Sequence, residues 1–198
     1  MNRAMGPLSF SYWDEIGLLV EGFEEPPVAM MGSDSAMLPR AAAPLVRIRP
    51  ARVHEADLLS DIAIRAKGHW GYSPADLTRW RGDLVVAPST IAARPTWVAQ
   101  IDEPVVGFYQ LQAGAAQWAL EHLWVLPDRM GRGVGRVLLR HAVRLAADRG
   151  AIALAIDADP HAEPFYLACG ARRVGAVVAP VQGHPERVRP QLLLTTSE

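Results

Sequence analysis

Residues 123–139 read LWVLPDRMGRGVGRVLL, an apolar strand followed by a glycine-rich turn and the start of a helix. The helix is predicted over Gly133 to Arg149, because apolar residues recur on one face and Gly150 follows the last of them. Glycines let the backbone of the turn approach a ligand closely. The first N–H groups of a helix lack partners inside it, and the helix dipole adds positive charge there. The pattern therefore predicts an anion site suited to a pyrophosphate.

Three other interpretations of this turn compete with that one. A P-loop is disfavoured because no Gly-Lys-Ser/Thr sequence follows the turn. A dinucleotide-binding turn requires glycine where Arg136 stands, and residues 126–130 separate this turn from its strand, although Asp157 lies where a ribose-binding acid is expected. The third interpretation, a glycine-rich loop without a ligand, stays open from the turn alone. If the turn does bind phosphate, Arg132 and Arg136 add positive charge to it.

The rest of the chain from Leu45 alternates between strand and helix patterns. Strands are predicted at 45–49, 96–101, 105–111, 117–125, 151–156, 172–178 and 190–195. Helices are predicted at 53–67, from Ser73-Pro74 to about Val86, and at 162–168, besides the helix after the glycine turn. Short connections favour antiparallel pairing of the strands between residues 96 and 125, and the continuous apolar run 151–156 suits the centre of a sheet. This order predicts an α/β or α+β fold with a mixed sheet.

Residues 1–44 differ from the remainder. The segment Ile16–Val20 suits a short strand or helix, whereas the residues after it are rich in proline, glycine and serine and resemble a linker. We therefore expect an N-terminal extension over residues 1–44 and one domain over residues 45–198.

The composition of the chain argues against several classes of protein. The 198 residues have a formal net charge of −1 and contain one cysteine, Cys169. Nothing in that balance indicates a nucleic-acid or anionic-membrane partner, and one cysteine excludes an internal disulfide framework and a cysteine-rich metal site. No apolar run reaches the length of a membrane helix. We expect a soluble cytoplasmic protein.

Two segments together resemble the GNAT superfamily of N-acetyltransferases, in a bacterial branch whose acceptors are mostly unassigned. The stretch 123–139 resembles the family's coenzyme-binding motif, and DPHAEPFYLACGA at 159–171 resembles its Asn-x-x-Ala-x-x-Phe-Tyr segment, in the same order and at the expected separation. The resemblance covers residues 45–198. Three positions depart from the family pattern: Met130 replaces arginine or glutamine, Asp159 replaces asparagine, and Ala171 replaces phenylalanine.

The resemblance implies a GNAT fold: a mixed, mostly antiparallel sheet of about six to seven strands, flanked by about four helices. A central parallel pair, formed by strands 118–125 and 151–156, would splay apart at the coenzyme, which would be acetyl-CoA. Because Met130 lacks the usual polar group, backbone N–H groups would provide most of the phosphate binding. The expected coenzyme-binding residues are Leu123, Val125, Met130, Gly131, Arg132, Gly133, Val134, Gly135, Arg136 and Asp159.

In such a fold an amine attacks the acetyl thioester directly, and a base removes its proton. Glu121 is the candidate base. On simple strand alternation it shares a face with Ala119 and Leu123, and His122, expected to be a packing residue, points the other way. A salt-bridged surface glutamate is the competing interpretation. Tyr166 occupies the position of the family's proton donor to the departing thiolate, and the competing interpretation is a core aromatic.

His69, Trp70 and Tyr72 lie in the loop that lines the acceptor pocket in this family, where aromatic rings can hold a cationic amine. Arg140 and Arg144 are expected on a solvated helix face, and no metal constellation is expected. We predict an acetyl-CoA-dependent N-acetyltransferase acting on the primary amine of a small molecule, and a homodimer stays open. The alternatives are a catalytically inactive acyl-CoA-binding or regulatory module, and a binding protein without chemistry.

Overall fold

A computed structural model of the chain describes residues 46–181 and 183–197. The predicted N-terminal extension, including Ile16–Val20, lies outside the described residues. The strands are β1 (Val46–Pro50), β2 (Thr96–Ile101), β3 (Val105–Gln112), β4 (Gln117–Val125), β5 (Ala153–Asp157), β6 (Arg172–Val178) and β7 (Val188–Thr195). The helices are α1 (Ala56–Gly68), α2 (Pro74–Leu84), α3 (Pro88–Ala93), α4 (Val134–Ala147) and α5 (Glu163–Leu167).

The strands form one mixed sheet in the order β1-β2-β3-β4-β5-β7-β6. All neighbours are antiparallel except β4 and β5, which pair in parallel from Gln117↔Ala153 to Leu120↔Ile156. Beyond that pair β4 continues to Val125 alongside β3, whereas β5 ends at Asp157. The expected mixed sheet with a central parallel pair is confirmed.

Helices cover both faces of the sheet and bury two apolar cores. On one face, Val134, Leu138 and Ala142 of α4 pack against β3, β4 and β5. On the other, Leu59 and Ile62 of α1 pack with residues of α3 and with Val98 and Phe108 of the sheet. Because β5 is buried on both faces, its sequence is continuously apolar rather than alternating. No helix in the described part of the chain is long and apolar enough to span a bilayer.

Whether a helix could be predicted from the sequence depended on its capping residues and its length. In α2, Ser73 is the N-cap, its hydroxyl accepts a hydrogen bond from the Asp76 N–H at 3.1 Å, and Pro74 occupies the first helical position. Helix α3 was not among the predicted helices. It has only six residues, which is too short for an apolar periodicity to emerge.

The predicted alternation of side chains along β4 was wrong, because it placed Leu123 on the face of Ala119 and His122 on the face opposite to Glu121. Gln110 faces His122 and Leu111 faces Leu120, so Glu121 is the extra residue of a β-bulge. The bulge shifts the alternation, and Leu120 and Leu123 consequently both pack into the α4-side core. Ala119 and Leu123 therefore lie on opposite faces. His122 packs on Phe108 in the core beneath α1 and α3, the side on which Glu121 also meets its partner.

Candidate active site

The glycine turn has the backbone geometry that the sequence predicted. Gly131 and Gly133 have φ of +71° and +86°, in the left-handed region that glycine adopts without strain. Gly133 is the N-cap of α4, and the first helical hydrogen bond runs from the Val137 N–H to the Gly133 carbonyl at 3.1 Å. The N–H groups of residues 134–136 precede that bond and are free for an anion.

The side chains around the turn divide into packed and exposed groups. Met130 packs against the α4-side core, so its side chain is directed to the interior. Arg132 and Arg136 are exposed. A Cβ on Gly135 would lie 3.4 Å from the ring of Phe165, which shows how closely α5 flanks the start of α4. The turn therefore offers backbone N–H groups and two arginines to a phosphate, and it fits a pyrophosphate on these grounds.

Beyond Leu120, the edge of β4 is no longer paired with β5. The Leu126 N–H donates to the Val106 carbonyl at 2.8 Å, so alternate residues of this segment bond toward β3. The N–H and carbonyl groups of Leu123 and Val125 consequently point away from β3, toward the side on which pairing with β5 has ended. This edge leads along the chain into the glycine turn, so Leu123 and Val125 immediately precede the predicted coenzyme-binding residues 130–136.

Tyr166 lies in α5 and is 6% exposed. Burial raises the pKa of its hydroxyl, and the neighbouring Cys169 thiol and Asp159 carboxylate act in the same direction. The phenol is therefore protonated throughout the neutral range and can donate a proton but not accept one. Its ring packs edge-on against Phe165, at 5.1 Å between centroids, in the core that also contains Val125 and Val134.

Glu121 forms an ion pair with Arg94, the residue that follows α3. The guanidinium donates to Oε2. Among the described residues none donates to Oε1, and about a quarter of the side chain (23%) is exposed. The salt-bridged state that competes with the base assignment is thus present, and one carboxylate oxygen stays open to a water or an amine. Neighbouring His122 accepts a hydrogen bond from the Trp124 indole at 3.1 Å, and burial lowers the pKa of His122 to about 4.

A buried polar cluster surrounds Asp159, at the turn after β5. Its carboxylate accepts hydrogen bonds from Lys67, from the Tyr72 hydroxyl at 2.8 Å and from Arg187 at 3.4 Å. The His161 N–H also donates to it, at 2.9 Å, and so caps the following turn. The side chains of Lys67, Asp159 and Arg187 are 11%, 6% and 8% exposed. We call these four residues, Lys67, Tyr72, Asp159 and Arg187, the Asp159 cluster.

The charges of the Asp159 cluster stabilise one another. Burial alone raises the pKa of Asp159, but Lys67 and the other donors lower it more, so the net pKa of this carboxyl is below its ordinary value. Burial lowers the pKa of Lys67, and the charge of Asp159 opposes that change. Burial and the charge of Asp159 raise the pKa of Tyr72 to about 12. Asp159, where the family has asparagine, is therefore ionised and is paired with the cations Lys67 and Arg187.

The predicted acceptor loop packs around this cluster. Trp70 stacks on His161 with an interplanar angle of 5° and 5.2 Å between centroids, and His69 contacts the Trp70 ring edge. Tyr72 packs edge-on against Trp80, and the Lys67 ammonium lies 4.6 Å from the Trp80 ring centroid. The hydroxyl of Tyr72 is hydrogen-bonded to Asp159 within the cluster. Exposed His69 and half-buried Trp70 are left as the members of the loop nearest solvent.

Sequence reasoning did not predict Arg94, Lys67 or Arg187 as site residues. Lys67 and Asp159 are 92 positions apart, and no spacing rule brings them together. A weak signal was available, because Lys67 is the only lysine of the chain and lies in an otherwise apolar helix face. Arg94 follows a helix that had no detectable pattern.

Comparison with known proteins gives the fold and the family. A family model described as the acetyltransferase (GNAT) family matches residues 58–171, which is more than half of the chain. Among curated proteins none matches the sequence significantly.

Three solved structures illustrate the structural similarity. The GCN5-related N-acetyltransferase from Rhodopseudomonas palustris is 22% identical, with a TM-score of 0.66 over 79% of this chain and 99% of that one. The PaiA N-acetyltransferase from Thermoplasma acidophilum, in complex with coenzyme A, is 17% identical, with a TM-score of 0.61 over 76% and 99% of the two chains. The putative acetyltransferase YncA from Salmonella typhimurium, with its cofactor acetyl-CoA, is 16% identical, with a TM-score of 0.58 over 78% and 95%. The chain therefore belongs to the acetyltransferase (GNAT) family.

Proposed function

We propose that this protein transfers the acetyl group of acetyl-CoA to the primary amine of a small molecule, by direct attack within a ternary complex. The observation that supports this most is the open edge of β4 beyond Leu120, which leads into the glycine turn at the start of α4. The edge and the turn provide unpaired backbone groups for a thioester and for a pyrophosphate on one continuous surface.

Backbone groups would hold the coenzyme in this proposal. The N–H groups at the start of α4, with Arg132 and Arg136, would bind the pyrophosphate. The N–H of Val125 or of its neighbours would donate to the carbonyl oxygen on which negative charge develops during attack. When bound, acetyl-CoA supplies the reactive thioester.

Two side chains would move protons. Glu121 would accept the proton of the attacking amine through its free Oε1, directly or through a water molecule. Tyr166, protonated throughout the neutral range, would donate to the departing thiolate. The first role requires a carboxylate oxygen that Arg94 does not occupy, and that oxygen is Oε1.

The acceptor side favours a small molecule in this proposal. The formal net charge of −1 gives no long-range attraction for a polyanionic partner. His69 and Trp70 offer aromatic surface that can contact an amine or its substituent. Tyr72 belongs to the internal cluster and would position the loop.

The experiment uses Glu121→Gln, with Glu103→Gln in the exposed β2–β3 turn as a matched control. The acceptor is the amine that gives the fastest CoA release in a panel of primary amines. We expect Glu121→Gln to lower turnover by about 100-fold, the lower end of the range for a general base, and to leave acetyl-CoA affinity unchanged. Glu103→Gln should match the wild type. Equal turnover of both variants would remove Glu121 from the mechanism.

A second candidate function is a catalytically inactive acyl-CoA-binding module. The ion pair between Arg94 and Glu121 favours it, because the guanidinium already occupies one oxygen of the proposed base. The two functions differ in a simple measurement: an inactive module binds acetyl-CoA and releases no CoA in the presence of any amine of the panel.

A further inference from the structure

The ion pair between Arg94 and Glu121 is partly open to solvent, with the arginine side chain 37% exposed and the glutamate side chain 23% exposed. The guanidinium donates through Nη1 to Oε2 of the carboxylate. Among the described residues, none accepts a hydrogen bond from its Nε or Nη2. By contrast, Lys67 and Arg187 are 11% and 8% exposed and both pair with Asp159. Arg94 is therefore the more accessible cation, and it lies directly beside the proposed base.

A buried polar chain fixes the backbone at Arg94. The Thr96 hydroxyl donates to the Arg94 carbonyl at 3.0 Å, and the Gln110 amide donates to that hydroxyl at 2.8 Å. The Arg94 N–H donates to the Thr90 carbonyl at 2.9 Å, at the end of α3. Thr96 and Gln110 are 5% and 1% exposed, so these bonds lie in the interior, where polar groups need partners. The arginine thus projects from a backbone that is held in place from both sides.

The charges of this pair restrict the kind of amine that fits beside it. The guanidinium cancels much of the attraction that the Glu121 carboxylate exerts on an ammonium group, because the two cations repel each other at short range. An amine that also carries a carboxylate avoids this loss, since its carboxylate can accept hydrogen bonds from the unused donors of Arg94. A ligand with one charge of each sign also leaves the balance of charge at the pair unchanged.

We propose that the acceptor carries a carboxylate close to its amine, as an α-amino acid does, and that Arg94 selects it by binding that carboxylate. The inference rests on the proposed function, in which Glu121 accepts the proton of the amine. In an α-amino acid a single carbon atom joins the two groups, so they can bind two adjacent side chains at once. The amine would lie at Oε1 of Glu121, and the carboxylate at the free nitrogens of Arg94. Arg94 is then a specificity-determining residue.

The test compares each common α-amino acid with its carboxamide as acceptor for the full chain. The carboxamide keeps the side chain and nearly the same size but lacks the negative charge. For the pair that releases CoA fastest, kcat/KM should be at least about tenfold higher for the acid, as expected for a charged hydrogen-bonded pair. Arg94→Gln should bring this ratio close to one, mainly by raising KM for the acid. Titration of the CoA-bound protein with both acceptors measures the same preference without turnover.

Arg173→Gln is the matched control. Arg173 lies on β6, at the edge of the sheet, and pairs with Glu163 at 3.4 Å. The two side chains are 46% and 21% exposed, so the variant removes an arginine from an ion pair of similar exposure. It should keep the wild-type ratio of acid to carboxamide. Thermal unfolding checks that both variants are folded.

Two results would overturn the role of Arg94. The first is wild-type turnover that is equal for acid and carboxamide, or that is confined to amines without a nearby carboxylate. The second is a preference for the acid that Arg94→Gln retains in full, because another group would then bind the carboxylate. In both cases an amine is acetylated, so the proposed acetyl transfer is unaffected. Absence of amine-dependent CoA release with every acceptor, amino acid or other primary amine, would instead contradict the proposed function itself.

Discussion

The carboxylate of Asp159 lies where burial and positive charge act on its pKa in opposite directions. Such a carboxylate is stable in the interior only with its partners in place, because an unpaired buried charge is costly. Lys67, Tyr72 and Arg187 supply those partners from three distant parts of the sequence. The aspartate that replaces the family's asparagine at position 159 is therefore accompanied by two cations, Lys67 and Arg187.

The Asp159 cluster predicts a non-additive pair of substitutions. Asp159→Asn or Lys67→Met alone should lower the free energy of unfolding by about 3 kcal/mol at neutral pH, because each leaves the other charge buried without its main partner. The double variant should lose clearly less than the sum, which denaturant unfolding can measure. Additive losses would show that the two side chains do not interact.

The same substitution has a predictable pH dependence. The folded-state pKa of Asp159 is below its unfolded value, so its contribution is present above the ordinary carboxyl pKa and is lost as pH falls through the folded value. The difference in stability between wild type and Asp159→Asn should therefore shrink on acidification. A difference that grew at acid pH would contradict the depressed pKa.

Tyr166 gives a further prediction for a single residue. Tyr166→Phe removes the hydroxyl and keeps the ring that packs against Phe165. We expect turnover to fall by about 100-fold, because the departing thiolate loses its proton donor, with acetyl-CoA affinity retained. Steady-state kinetics and a binding titration measure the two quantities separately. Full activity of Tyr166→Phe would leave Tyr166 with only a packing role.

At the scale of elements, strong periodicity or turn chemistry made a segment predictable. Helix α4 followed from its apolar stripe and flanking glycines, and α2 from the Ser73-Pro74 start. The bulge at Glu121 could not be predicted, because it depends on how β3 pairs with β4 and leaves no mark in the sequence of β4. The Asp159 cluster was hidden for a related reason: its contacts join residues that only the complete sheet brings together.

The same substitution, glycine to alanine, should have opposite effects at two positions, one inside a helix and one at a helix start. Gly82 lies exposed in α2, and a Cβ added there would meet open space, so Gly82→Ala should stabilise the protein by roughly 0.5–1 kcal/mol. Gly133 also has open space, but its φ is +86°, so Gly133→Ala should destabilise by about 1–2 kcal/mol. Denaturant unfolding without ligand measures both. Effects of the same sign would contradict the role of φ at the glycine turn.

For the whole molecule, the fold fixes the backbone groups of the predicted coenzyme site more than it fixes the side chains around that site. The parallel pair β4–β5 ends early, α4 begins where β4 has ended, and α5 flanks the start of α4. These features were predictable because they follow from two sequence motifs and from the short connections between strands. The packing of the loop that contains His69, Trp70 and Tyr72 was less predictable, since it depends on the Asp159 cluster.

We propose that this arrangement transfers an acetyl group to an amine. The most direct measurement is the release of CoA thiol from acetyl-CoA by the full chain, with and without each member of a panel of primary amines. We expect release that depends on at least one amine, together with a product heavier than that amine by one acetyl group in mass spectrometry. Tight binding of acetyl-CoA without amine-dependent release for any member of the panel would contradict it.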